Sequence, residues 1–288
     1  MKMFRAQMSL MLRKRGFQVS FTVVLLYVMY IFVQQFWFKS MNDIDVFDYA
    51  DLGAVHSGFL NESGERQLDT LLFFFPFIAV LPFSFSLYVD KSTRISDIVI
   101  SRCGRRRYYF SKLMTAFVGS FLIFFIPIMV SYVLTHIFYA PGMLNLFDPN
   151  YGEATAGGKD FLSMRDTTLE LIFFSPFLGE TFAAFLFSLY AGACGMLALA
   201  LSNCFGRVSV LIFVPVYVLT KLFELGQSVI KVKYDYTYFQ LDPVKYAVIS
   251  SDNPFYGRPI WLYALTVGAI ILLSAVMTLI VSRRDRLD

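Results

Sequence analysis

The sequence predicts an all-α integral membrane protein with six membrane-spanning helices and both termini on the cytoplasmic side. Three observations carry that reading. The composition is 57% hydrophobic and 18% aromatic but only 16% charged, far from the balance of a soluble domain. The apolar residues gather in six segments, at about 17–38, 68–89, 113–139, 177–202, 208–225 and 260–282, most of them near the ~20 residues that cross a hydrocarbon core of about 30 Å. Finally, the charges between those segments are asymmetric. Residues 1–16, 90–112, 203–207 and 283–288 hold 16 of the 25 Lys and Arg and only 4 of the 21 acids. The longer segments 39–67, 140–176 and 226–259 hold 8 basic residues and 14 acids. Basic residues collect on the cytoplasmic side, so the first set lies inside and residues 1–288 form one transmembrane domain.

The elements follow in order. Residues 1–16 carry Lys2, Arg5, Arg13, Lys14 and Arg15 without an acid, interleaved with Met3, Phe4, Met8, Leu10, Met11 and Leu12. This pattern predicts an interfacial amphipathic helix whose charges also orient the first span. That span is too long for a signal-peptide core and lacks a small-residue cleavage site, so it is expected in the mature protein. It ends in the aromatic belt Phe36, Trp37 and Phe38. The acidic segment 39–67 lacks the ordered spacing of a calcium loop and reads as a solvated outer segment. The second span contains Pro76 and Pro82, which predict kinks. The third contains Pro127 and places His136 near its outer end as an interfacial polar residue.

The fourth span repeats small residues, Ala184, Ser188 and Gly192 on one line and Ala191 and Gly195 on another, which predicts close helix packing. Glu180 lies just inside its outer end. The fifth span has Pro215 at its middle and Lys221 and Glu224 near its outer end, three apart and so on one face. Glu180, Lys221 and Glu224 are candidates for an intramembrane charge pair, with Glu180 and Lys221 at similar depth. The alternative is that these side chains snorkel to the surface. The segment 226–259 is dense in Lys and Tyr and carries the turn signals Asp242-Pro243, Asn253-Pro254 and Arg258-Pro259. The cysteines Cys103, Cys194 and Cys204 are odd in number and imply neither a disulfide framework nor a metal site.

Residues 90–112 are the most basic part of the chain. Lys91, Arg94, Arg102, Arg105, Arg106, Arg107 and Lys112 face only Asp90 and Asp97. Ile95, Ile98, Val99 and Arg102 fall at i, i+3, i+4 and i+7, the spacing of one helix face. The segment therefore reads as a short amphipathic helix, a break at Cys103-Gly104, and a basic run entering the next span. Such a helix either lies on anionic lipid or docks a partner.

This segment also carries a family resemblance. An acidic residue ending one span, Asp90, is followed by a short helix and by Ser101-Arg102-x-x-Arg105-Arg106-x-Tyr108-x-x-x-Lys112. That arrangement, within a six-span pattern, resembles the ABC type 2 permeases, the membrane subunits of ABC exporters. The family often has Glu at the position of Asp90 and Gly where this chain has Ser92, Thr93 and Arg94. The resemblance implies an ATPase-coupling loop comprising Asp90, Arg94, Ile98, Arg102, Arg105, Arg106, Arg107, Tyr108 and Lys112. It further implies a separate ATPase subunit that holds ATP and Mg, a second permease subunit, a bacterial plasma membrane location, and a re-entrant outer segment between the last two spans.

Several chemistries find no support in the sequence. There is no phosphate-binding Gly-x-x-x-x-Gly-Lys-Ser/Thr loop, no His-Glu-x-x-His and no Gly-x-Ser-x-Gly elbow, so this chain is expected neither to hydrolyse ATP itself nor to be an intramembrane enzyme. No cofactor and no nucleic-acid partner are expected. The alternative to the permease is a non-transporting membrane immunity or sensor protein that binds a peptide or lipid on the outer face.

Overall fold

The computed structural model describes residues 2–41, 65–82, 86–93, 95–138, 176–205, 213–233, 241–246 and 260–284. All regular structure among them is helical. Helices α1 (Lys2–Arg13) and α2 (Arg15–Met41) open the chain. They are followed by α3 (Glu65–Val80), the short α4 (Ser86–Ser92) and α5 (Ile95–Cys103). Next come α6 (Arg105–Phe138), α7 (Pro176–Phe205), α8 (Phe213–Lys233), a 3-10 turn at Pro243–Tyr246 and α9 (Ile260–Arg284).

Four of these helices, α2, α6, α7 and α9, are long and apolar enough to cross a membrane, which fits a multi-pass membrane protein. The other two expected spans take a different form. In place of one kinked span over 68–89, α3 ends at Val80 and α4 begins at Ser86, with a turn at Leu81 and Pro82 between them. Proline has no amide hydrogen to continue the ladder and its ring clashes with the preceding turn. Pro82 therefore ends the helix, whereas Pro76 is accommodated inside it. Of the expected span 208–225, residues 213–225 lie in helix α8, and 208–212 lie outside the described residues. The helix runs on to Lys233, past the expected end near Leu225.

Helix α7 is the centre of the bundle, packed against α6, α9, α3 and α8. Its apolar stretch is 83% buried, against 28% for α9. The small residues explain this. Ala184, Ser188 and Ala191 are fully buried. A Cβ on Gly195 would collide with the Ser120 side chain of α6 and sit 3.1 Å from the Ala79 carbonyl oxygen of α3. Three helices meet at that glycine, and the Ser120 hydroxyl donates to the same Ala79 carbonyl at 2.6 Å. Beside it Phe75 of α3 stacks on Tyr190 of α7 at 5.5 Å and meets Phe124 and Phe187. The Tyr263 hydroxyl of α9 donates to the Leu186 carbonyl of α7 at 2.5 Å. Helices α2 and α9 keep wide apolar faces outward, including Leu26, Tyr30, Leu265 and Leu272, as lipid-facing helices do because lipid offers no penalty to them.

The polar segments expected outside, 39–67, 140–176 and 226–259, lie mostly outside the described residues. Within the last of them the Pro243–Tyr246 turn is described. The Asp242 carboxylate accepts the Val244 amide at 3.0 Å, and Tyr246 packs on Tyr263.

Candidate functional site

The break expected at Cys103-Gly104 is present. Gly104 adopts φ of 79°, a left-handed conformation that a residue with a Cβ pays to adopt. The chain therefore leaves α5 at Cys103 and starts a new helix at Arg105, with the Tyr108 amide already donating to the Gly104 carbonyl. Helix α6 thus begins with the basic run and continues without interruption to Phe138.

This geometry brings Asp90, Tyr108 and Lys112 together. Asp90 lies at the C-terminal end of α4, where the helix dipole disfavours an anion. Two donors from α6, one turn apart, offset that cost. The Tyr108 hydroxyl donates to Asp90 Oδ2 at 2.6 Å and Lys112 Nζ lies 2.5 Å from the same oxygen. Lys112 is only 2% exposed and Asp90 15%. Lys112 Nζ also reaches the Ser86 carbonyl at 3.4 Å and sits 5.6 Å from the centre of the Tyr108 ring, within cation–π range. Lys14, at the joint between α1 and α2, joins the same field. Burial pushes its ammonium below the ordinary lysine range, while the nearby Asp90 carboxylate pulls it back up. One carboxylate therefore ties α4 and α6 into a polar knot whose field reaches Lys14 at the N-terminal joint. Charge-assisted bonds of this kind are strong because little water competes for them.

The rest of the segment faces outward. Helix α5 packs through Ser96, Val99 and Ile100, while Ile95 and Ile98 are 48% and 59% exposed. Arg102, Arg106 and Arg107 are exposed as well. Arg105 is half-buried, and its Nη1 has no hydrogen-bond partner among the described residues. The result is an exposed ridge of two isoleucines flanked by guanidinium groups, mounted directly on the polar knot. Arg94 lies outside the described residues.

The three ionisable residues near the outer ends are placed differently. Lys221 pairs with Glu224 at 2.6 Å on a largely exposed face, at 40% and 60% exposure. Glu180 is fully buried, and His136 Nδ1 lies 3.6 Å from its Oε2. His136 Nδ1 donates to the Tyr132 carbonyl at 2.8 Å. Neither carboxylate oxygen of Glu180 has a hydrogen-bond partner among the described residues. The structure thus brings Lys221 and Glu224 together and seats Glu180 against His136 instead.

Comparison with known proteins gives no match to any family model, curated protein or solved structure.

Proposed function

We propose that this chain is the transmembrane permease subunit of an ATP-driven ABC exporter. In this reading a separate ATPase subunit binds ATP and Mg and hydrolyses the nucleotide. It docks on the outward face of α5 and the start of α6, contacting Ile95, Ile98, Arg102 and Arg106. The supporting observation is that this exposed ridge lies between α4 and α6 in the chain, two helices that Asp90, Tyr108 and Lys112 join through a buried charge pair. A ridge that only lay on lipid would need no buried charge pair behind it. Force applied to α5 passes along the chain to α4 and α6, the two helices that the pair clamps together.

The same reading places both termini and the α5 ridge on the cytoplasmic side of a bacterial plasma membrane. It counts α3 with α4 as one broken span and α8 as another, giving six. The Pro243–Tyr246 turn then belongs to a re-entrant outer segment between α8 and α9. A second permease subunit, the same chain or a related one, completes the transport path.

The deciding experiment is gentle purification of the tagged protein from its native host with mass spectrometry of what accompanies it. A stoichiometric soluble ATPase, lost when Arg105, Arg106 and Arg107 are changed to Glu in a correctly oriented protein, supports the reading. A folded and correctly oriented chain that carries no ATPase overturns it and favours a binding or immunity protein.

A further inference from the structure

A cavity of about 510 Å³ opens between α1 and the start of α6, a volume in the range of small-ligand sites. Met3 and Phe4 of α1 close one side, and Phe110, Met114 and Val118 of α6 line the other. Met11, which is fully buried, lies directly over Gly119 and pins α1 along α6. The cavity is therefore bounded by two helices held in place.

The lining is apolar except at one end. Arg107 and Ser111 lie one turn apart on the same face of α6 and both line the cavity. Ser111 is 7% exposed, yet its hydroxyl has no hydrogen-bond partner among the described residues. Thr115 and Thr135 of the same helix satisfy theirs on the preceding turn. A buried hydroxyl left unmatched costs free energy, but the Ser111 oxygen is itself shielded, and the polar group that the cavity presents at this end is the exposed guanidinium of Arg107.

We propose that this cavity binds one anionic glycerophospholipid, its phosphate at Arg107 and one acyl chain along Phe110, Met114 and Val118. The chemistry is two-part, a cation at one end and a greasy trough at the other. A membrane-edge lipid offers both parts, and basic pockets between helices at the cytoplasmic edge suit anionic headgroups. The proposal rests on reading α1 and the start of α6 as the cytoplasmic membrane edge, but needs no ATPase.

The test uses the purified, delipidated full chain titrated with dioleoyl-phosphatidylglycerol, dioleoyl-phosphatidylcholine and inorganic phosphate, read by native mass spectrometry. One saturable phosphatidylglycerol is expected, with phosphatidylcholine at least about fivefold weaker and no retained phosphate. The factor corresponds to one cation at an anionic surface. Arg107→Gln removes that preference. Val118→Trp, which fills the trough, removes both lipids, and Phe4→Asp does the same without enlarging a side chain of α6. Equal affinity for the two lipids in the unaltered protein overturns the proposal. So does undiminished binding in Arg107→Gln and Phe4→Asp, and retention of phosphate alone replaces a lipid with a free anion. Failure here leaves the ATPase-docking result untouched.

Discussion

Lys112 of α6 places its ammonium 2.5 Å from the Asp90 carboxylate of α4, and almost no water reaches it. Removing one partner of a buried pair leaves the other charge uncompensated, at a cost of about 3–5 kcal/mol. Lys112→Met and Asp90→Asn should each lower the thermal midpoint in detergent by several degrees. The double variant should recover part of the loss. Additive losses in that cycle would show that the two groups do not interact.

Neighbouring residues of α5 should respond oppositely to the same change. Ile98 is 59% exposed, whereas Val99 is packed against the core. Ile98→Asp should leave the stability within about 0.5 kcal/mol of the original and abolish association with the proposed ATPase partner. Val99→Asp should lower stability. The idea fails if Ile98→Asp unfolds the protein, or keeps full association.

Glycines on facing helices should differ in tolerance. A Cβ on Gly195 meets Ser120 and a backbone carbonyl of α3, which cannot rotate away. A Cβ on Gly119 meets only the flexible end of Met11. Overpacking costs about 1–3 kcal/mol where nothing yields. Gly195→Ala should therefore lower the midpoint clearly more than Gly119→Ala, and the reverse order in a thermal scan would contradict the packing.

Glu180 is buried with no hydrogen-bond donor on either oxygen among the described residues and has only His136 nearby. A carboxyl group buried without a hydrogen-bond partner opposes stability. Glu180→Gln should raise the thermal midpoint, and His136→Ala should lower it by removing the ring that covers the carboxyl group. A lower midpoint for Glu180→Gln would mean that the carboxylate is satisfied by something else in the membrane.

Orientation can be read from the thiols. Cys103 is partly exposed at the end of α5, and Cys194 is buried in α7. In a Cys204→Ser background, a membrane-impermeant maleimide should label Cys103 in inside-out vesicles only, and Cys194 in neither preparation. Labelling of Cys103 from the outside would invert the proposed topology.

Helix formation in this chain was legible wherever apolar length alone decides it. The segments expected at 17–38, 113–139, 177–202 and 260–282 all coincide with long helices, because a helix that satisfies its own backbone needs only enough apolar residues. Small residues at 184, 188, 191, 192 and 195 also announced close packing before any partner was known. The remainder depended on tertiary context. Whether a proline bends or ends a helix depends on what replaces the lost bond, and so Pro76 is absorbed while Pro82 terminates α3.

At the site, the loop residues Asp90, Tyr108 and Lys112 were named from the sequence, but periodicity could not tell that they converge. It shows a helix in α5 without saying that Ser96, rather than Ile95 or Ile98, turns inward. Lys14 was read only as an orienting charge, since nothing local reveals its approach to Asp90. The meeting of His136 with Glu180 was within reach. Both were placed near outer ends of consecutive spans, the same depth argument that suggested Lys221 as a partner, yet two well-separated helices can satisfy it equally well.

Helix α6 is 34 residues long. At about 1.5 Å per residue it extends roughly 51 Å, about 20 Å more than a hydrocarbon core requires. That surplus is comparable with the headgroup layers, which bring the whole bilayer to about 40–45 Å, so the basic residues at one end of the rod fall at the depth of lipid phosphates. The rod is weakest at Pro127, which supplies no amide hydrogen to the preceding turn.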